Sequence, residues 1–404
     1  MAVQDGYGKS SGSESLVFAY DLKDTVNSFR GEPATNSQNA DISSMTQVGF
    51  DSWSCYDGSP PYHTWGTNQS KTFVTIPGPF GTSVNAMLYH NFNGGFYGPT
   101  DWGAVPNGTI TAGRTYTVQG WVKAADSSSI GKTVTPYTYY SHSGGAYSAG
   151  TNYTLTDQWQ LVSHTHTAQY NASGDGVMYF FTQNSGEVKM YLTMTGVFLD
   201  KSHAVPWIIG GSTRSNTQGL LDLTGNNTID LSNTSFDSNA QMTFDGTDDF
   251  ITAGNNSHLA PGTGNFTYSC WMNPVGYSYY AGLLVVATTG GLWIGKLGSN
   301  MVLRAYNVED YLQHSTLPTV GQWTNVVITR NGTTVTLYYN ANSVATATTG
   351  YNFVQATAYI GNDGPISSAN FNGKITNTFF FNRALTSTEI TNNYLKYKRQ
   401  YGLT

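Results

Sequence analysis

Charge is scarce in this chain. Asp, Glu, Lys and Arg make up 10% of its 404 residues, against roughly 25% in an average soluble protein. No basic run precedes Lys396, Lys398 and Arg399, and the formal net charge is −6. Without a basic stripe to neutralise phosphates, nucleic acid is excluded as the expected partner. Cysteine occurs only as Cys55 and Cys270, which argues against a disulfide scaffold or a clustered zinc site and for two isolated buried thiols. No apolar run reaches the roughly 18 residues of a membrane-spanning helix. The stretch Met1-Ala2-Val3-Gln4-Asp5-Gly6 lacks the charged-then-apolar pattern of a secretory signal, so synthesis in the cytosol without membrane insertion or signal-led export is expected. Sequons such as Asn107-Gly108-Thr109 and Asn331-Gly332-Thr333 are then compositional. No Gly-x-Ser-x-Gly elbow, phosphate-binding loop or His-Glu-x-x-His helix occurs either.

Glycine (45 residues), tyrosine (28) and neutral polar residues fill the space that charge leaves. With 14% aromatics the composition is not that of a disordered chain. It fits an all-β protein with many tight turns and uncharged outer faces. Period-2 alternation runs through Leu16–Asp21, Arg114–Ala124, Trp159–Ala168, Gly176–Phe181 and Glu187–Leu199. Further on it marks Met242–Ile251, Asn265–Met272 and the pair Gln322–Arg330 and Thr333–Asn340, for which a two-residue Asn331-Gly332 turn is expected. Phe371–Ile375 and Phe379–Phe381 follow, and then a single predictable helix. Thr386 and Glu389 form a capping box, Ile390, Tyr394 and Tyr397 share a face, and Gly402 ends it. Lys396, Lys398 and Arg399 complement the dipole of its C-terminal end.

The C-terminal motifs carry a resemblance. Gln322-Trp323 leading into the strand, Phe371-Asn372-Gly373-Lys374-Ile375 and Asn382-Arg383-Ala384-Leu385-Thr386 before a short helix are similar to the end of a laminin-G-like (concanavalin A-like) jelly roll. So are the turn Phe244-Asp245-Gly246-Thr247-Asp248-Asp249-Phe250 and the strand Phe266–Trp271. The ending resembles tailed-phage virion proteins that carry this module. In such proteins the first strand continues directly into a segment like Leu223-Thr224-Gly225-Asn226, which here comes about 190 residues later. Insertion of a second domain explains the gap, since sandwich termini lie close and loops accept long insertions cheaply. The insert's order of strands, Tyr116-Thr117-Val118 to Trp121-Val122-Lys123-Ala124, then Trp159-Gln160, then a last strand before Pro206-Trp207, resembles carbohydrate-binding modules of the family 4/9/22 jelly-roll type.

The expected architecture is therefore all-β: two jelly-roll β-sandwiches with one short C-terminal helix. Residues 1–14 form a flexible or partner-bound arm, 15–34 the first laminin-G-like strand, 35–205 the inserted sandwich and 206–404 the rest of the laminin-G-like domain. The resemblance implies a non-enzymatic structural protein of a tailed-phage virion, as a capsid decoration, head fibre or tail or baseplate appendage. Its partners would be other virion proteins, further copies of itself and a host-surface glycan. A dedicated glycan-binding adhesin is the alternative, and a glycan hydrolase a more distant one. Retaining glycanases of the concanavalin A-like fold carry carboxylates two positions apart on a strand, about 5 Å from one another. Here Glu14, Glu32, Glu187, Glu309 and Glu389 have no such partner, and the adjacent Glu309 and Asp310 would face opposite sides of a strand.

Candidate sugar contacts are the aromatics of turn-rich stretches, Trp53, Tyr56, Trp65, Tyr97, Trp102, Tyr137 and Tyr139, whose faces suit pyranose stacking; core packing and subunit contacts are the competing uses. The resemblance also implies a structural Ca²⁺. Asp245, Asp248, Asn362 and Asp363 are the candidate ligands, in two predicted loops that also hold Asp249 and Gly361–Gly364. Ordinary turn chemistry accounts for the same residues. His164 and His166 share a strand face, either as a metal-binding pair or as polar residues facing solvent.

Overall fold

The computed structural model describes residues 13–38, 43, 54–57, 69–92, 94–101, 109–140, 146–173, 176–255, 257–362 and 370–403. At 13, 54–57, 94–101, 109, 139–140, 146–147, 172–173, 176–179 and 181–185 it describes the backbone without the side chains. Most of the expected N-terminal arm, residues 1–12, lies outside the described residues. The chain divides into two compact units, one of Met1–Pro33, Ser215–Asp237 and Gln241–Thr404, the other of Ala34–Arg214 and Ser238–Ala240. Both are built from antiparallel strands, and the described residues include a single α-helix, Ser387–Lys398.

The first unit packs an eight-stranded sheet against a seven-stranded one. The former runs Ser235–Phe236, Met242–Asp245, Phe371–Phe381, Phe266–Tyr277, Thr324–Asn331, Thr334–Tyr339, Asn342–Thr348, with Leu16–Tyr20 also on Phe371–Phe381. The latter runs Asp230–Asn233, Phe250–Thr252, Ala358–Ile360, Tyr280–Val286, Leu292–Leu297, Asn300–Ala305, Glu309–His314. Alternate residues of both, among them Tyr268, Cys270, Ile294, Leu303, Ile328 and Leu337, meet in one apolar core. Burial pushes the Cys270 thiol up to about 12, so it is an inert packing group as expected; the side chain of Cys55 lies outside the described residues.

Leu16–Tyr20 reaches its partner strand across most of the chain, Tyr20 standing opposite Thr378. A second segment locks it from the other side. Asp222 Oδ1 accepts the Ala19 N–H (3.0 Å) and the Thr224 N–H (3.0 Å), while Oδ2 accepts the Asn227 N–H (2.9 Å) and amide (2.8 Å). The Asn226 amide donates to the Val17 carbonyl (3.1 Å), and Phe29 bridges Leu220.

The Asn331-Gly332 turn falls one residue later than expected. Asn331 pairs with Thr334, so the loop residues are Gly332 and Thr333. Of these only Gly332 has positive φ, +59°, the pattern of a turn that needs glycine first and tolerates a β-branched residue second. Behind it Arg330 is almost wholly buried and donates to the carbonyls of Gly332 (3.1 Å), Gly262 (3.1 Å) and Tyr351 (2.8 Å).

The C-terminal helix covers the outer face of the larger sheet. Trp271 stacks on Tyr401 (4.4 Å between centroids) and on Tyr394 (5.6 Å), with Ile390 and Tyr397 buried beside Phe379. Both halves of the capping box form, and Gly402 ends the last turn at φ +71°. Arg383 also grips Glu389 (2.6 Å) and Glu14 (2.7 Å).

The second unit is another two-sheet sandwich. A six-stranded sheet runs Ala146–Ala149, Thr133–Tyr140, Gly176–Ser185, Gly94–Asp101, Ser54–Asp57, with Tyr153–Thr154 beside Thr133–Tyr140. A five-stranded sheet runs Gln160–Thr167, Thr115–Ala124, Val188–Leu199, Ser83–Asn91, Gln69–Pro77. Its inward residues Val118, Val122, Met190, Leu192, Met87 and Tyr89 enclose the core with Phe180 and Val134. At Gly120 a Cβ would lie 2.9 Å from the Phe180 ring, so this strand can approach only with glycine there.

The Glu389 carboxyl is held down to about 2, chiefly by Arg383, from an ordinary 4.5. A depressed folded pKa contributes stability that is complete above the unfolded value and is lost as pH falls through the folded one. Glu389→Gln should therefore lower the urea midpoint at pH 7, with the gap to the parent closing between pH 4.5 and about 2. A gap that stays constant over that range would show that the ion pair contributes nothing.

Candidate functional site

Strand alternation sorts the five-stranded sheet of the second unit into a core face and an outer face. On Thr115–Ala124 the core side takes Tyr116, Val118, Val122 and Ala124, leaving Thr115, Thr117, Gln119, Trp121 and Lys123 outside. Cross-strand register puts Tyr191 beside Lys123 and Leu88, and Thr193 beside Trp121.

One end of this outer face is sealed by the chain's own backbone. Gln119 exchanges two hydrogen bonds with Val205 (2.7 and 2.8 Å), and Thr117 donates to the Lys201 carbonyl (2.6 Å). Asn36 donates to Thr195 and Ile208 and accepts from Val197. Phe198, Val205 and Ile208 close a small apolar cluster beneath. A bulge between Thr193 and Gly196, with Met194 at φ 48°, marks the boundary.

Beyond the bulge the face carries half-exposed aromatics. Trp159 and Tyr191 lie 6.5 Å apart at 47°, and the Trp159 indole N–H donates to the Pro77 carbonyl (3.0 Å), which fixes the ring. The hairpin tip beyond Pro77 sets the exposed Phe80 edge-on to Trp121 at 5.3 Å. The Lys123 ammonium sits 5.0 Å from the Trp159 ring centre and 5.5 Å from that of Tyr191. Further along, Lys189 pairs with Glu187 (2.9 Å) and Asp126 (3.4 Å), and His90 also meets Glu187. Burial raises the Asp126 carboxyl, but hydrogen bonds from Ser129, Ser128 and Lys189 outweigh it and hold the group at about 2. Trp159, Tyr191 and the Lys123 ammonium thus lie together on this outer face, a flat aromatic surface with a cation beside it.

Of the aromatics expected from sequence, only Tyr137 has a described side chain. Trp53, Trp65 and Trp102 lie outside the described residues; Tyr56, Tyr97 and Tyr139 are on strands whose side chains at those positions also lie outside them. Tyr137 is half-buried on Thr133–Tyr140, opposite Tyr179 and Ala149, and so belongs to the other sheet. Their spacing places Trp121, Trp159 and Tyr191 in strands without marking them as contacts. The available signal was parity: Lys123 marks the outward positions of its strand, and Trp121 shares them.

His164 and His166 do not face open solvent. They stand in register with Val118 and Tyr116 on the inward side, half-buried, their rings stacked at 6.4 Å. His164 Nε2 meets the Ser148 hydroxyl at 2.8 Å. Burial lowers the pKa of both, and for His164 the neighbouring imidazole adds to it.

Among the described residues one group of three or more potential metal ligands converges, Asp245, Asp248 and Asp249, with oxygens within 4.8 Å of one another. Asp249 is buried and already accepts the Asp245 N–H (2.7 Å) and Ser235 N–H (2.9 Å); burial raises its pKa, and Asp245 adds to the rise. Asp245 accepts the Thr247 N–H (2.7 Å). The exposed Asp248 and the second oxygen of Asp245 are the donors open to a hard cation. Asn362 is fully buried and donates to Asn370 (2.5 Å), and Asp363 lies outside the described residues.

Comparison with known proteins adds two segment matches. Residues 245–391 match the profile of the concanavalin A-like lectin/glucanases superfamily, and residues 101–186 that of a carbohydrate binding domain. No curated protein matches the chain. Similar solved structures include the botulinum neurotoxin serotype D ligand binding domain in complex with N-acetylneuraminic acid. That pair is 18% identical with a TM-score of 0.38, over 45% of this chain and 49% of the other. Domain 4 of AbnA, an extracellular arabinanase from Geobacillus stearothermophilus in complex with arabinotriose, is 15% identical with a TM-score of 0.33, over 45% of this chain and 93% of the other. The chain thus spans about half the length of the neurotoxin structures, and likeness at this level says nothing of what it binds.

Proposed function

We propose that this chain is a non-enzymatic glycan-binding protein whose sugar site is the outer aromatic face of Trp121, Trp159 and Tyr191. The observation that carries the reading is the face itself, three rings held half-exposed on a strand sheet whose other side builds a core. Trp121 and Trp159 fall within the segment that matches a carbohydrate binding domain, and Tyr191 pairs beside it. Flat rings offer the stacking surface that a pyranose needs, and the Trp159–Pro77 hydrogen bond orders one of them before binding.

The setting we propose is a tailed-phage virion. The chain would serve as a capsid decoration, head fibre or tail or baseplate appendage, in several copies docked on other virion proteins, with a host-surface glycan as its ligand. The resemblance of Asn382-Arg383-Ala384-Leu385-Thr386 and the following helix to virion proteins supports this. A dedicated adhesin is the second reading, favoured by the same aromatic face. We also propose that Asp245 and Asp248 hold a Ca²⁺, whose charge would offset the three crowded carboxylates of that turn.

On a glycan array the full chain should bind at least one saccharide, and Trp159→Ala should weaken that binding about tenfold or more, roughly 1.4 kcal/mol. An array blank for the parent chain removes the glycan reading. Mass spectrometry of purified particles should find the chain at a copy number matching capsid or tail symmetry; its confinement to the free lysate would remove the virion setting. Millimolar Ca²⁺ should raise the thermal midpoint by several degrees over chelator, and Asp248→Asn should abolish the rise. An unchanged midpoint in the parent would dismiss the ion.

A further inference from the structure

Two lysines project from the outer face of the five-stranded sheet, and their electrostatic situations differ. Lys189 is neutralised by Glu187 and Asp126. Lys123 has no carboxylate partner among the described residues; its ammonium lies over the π-faces of Trp159 and Tyr191. In a chain of net charge −6, a half-exposed cation on aromatic rings, with its fellow lysine compensated, is an unspent positive charge at the centre of the platform.

A neutral sugar gains little from such a group. It would have to displace the ammonium from both ring faces and leave it without a new counter-charge. A sugar carrying a carboxylate replaces the cation–π contact with a charge-assisted hydrogen bond, which is the stronger interaction at a half-exposed site. The four-carbon stem of Lys123 lets the ammonium swing off the rings without moving the strand. The same motion that receives the carboxylate uncovers the faces on which the sugar ring stacks.

We infer that the aromatic face takes an acidic saccharide, a chain containing uronic acid or another carboxylated sugar, with Lys123 receiving the carboxylate and Trp159 and Tyr191 the ring. This rests on the glycan-binding reading above and sharpens it to one class of ligand. Lys123 then determines specificity, and the aromatic rings supply affinity common to all ligands.

The test compares acidic oligosaccharides on an array, oligogalacturonates and oligoglucuronates among them, with the same chains after chemical reduction of the carboxyl groups. The parent chain should prefer the acidic form at least tenfold, and the preference should shrink as salt rises. Lys123→Met should erase the preference, Lys123→Arg should keep most of it, and Trp159→Ala should weaken both forms alike. Equal binding of acidic and reduced chains by the parent, or a preference that survives Lys123→Met, overturns the acidic ligand and leaves glycan binding standing. Binding to neither form across the whole array overturns both. Since Lys123 is half-exposed, circular dichroism of Lys123→Met should match the parent, and Lys123→Arg covers the case in which it does not.

Discussion

The clamp of Asp222 on the first strand is the contact that closes one of the two sandwiches. Leu16–Tyr20 belongs to a sheet whose other strands begin more than 200 residues later. Pairing with Phe371–Phe381 satisfies one edge. On the other, the Ala19 N–H would be a buried orphan without Asp222 Oδ1, while the Val17 carbonyl accepts from both the Asn226 amide and the Thr224 hydroxyl. Each such group costs about 1–3 kcal/mol if left unmade, comparable to a large part of a domain's net stability. One carboxylate that holds its own loop and a distant strand joins the two ends of a long excursion of the chain.

A related economy governs the aromatic face. A sheet packed on one side has an outer surface that must be either solvated or covered. Here Gln119, Thr117 and Asn36 tie backbone segments over one end of it with side-chain hydrogen bonds. The bulge at Met194 ends that cover, and what remains open carries rings and lysines. The position of the candidate site follows from where the covering backbone stops.

Much of the fold was legible because its signals are local. The capping box of Thr386 and Glu389, the αL glycine at 402 and the alternation of Thr115–Ala124 all form as their spacing dictates. The turn at Gly332 slipped by a residue because an Asn-Gly pair satisfies two registers, and cross-strand pairing chooses between them. The site was harder to read. Aromatics in turn-rich stretches stand out in a sequence, whereas Trp121 and Tyr191 are half-exposed within strands, where only outward parity marks them. His164 and His166 share a face as alternation requires, but which face it is follows only from the packing of His164 against Ser148 and Gly150.

The separation of Tyr20 from Ile375, 355 residues, has a meaning in time as well as in space. A ribosome adding roughly 5–20 residues per second delivers the partner of the first strand on the order of half a minute after the strand itself. Through that interval Leu16–Tyr20 is an unpaired, apolar β-edge, the kind of segment that other chains recruit. The segment around Asp222 emerges well before Phe371–Phe381 and offers the strand its first native contacts. In a nascent chain Asp222 is thus placed to act as a holding station.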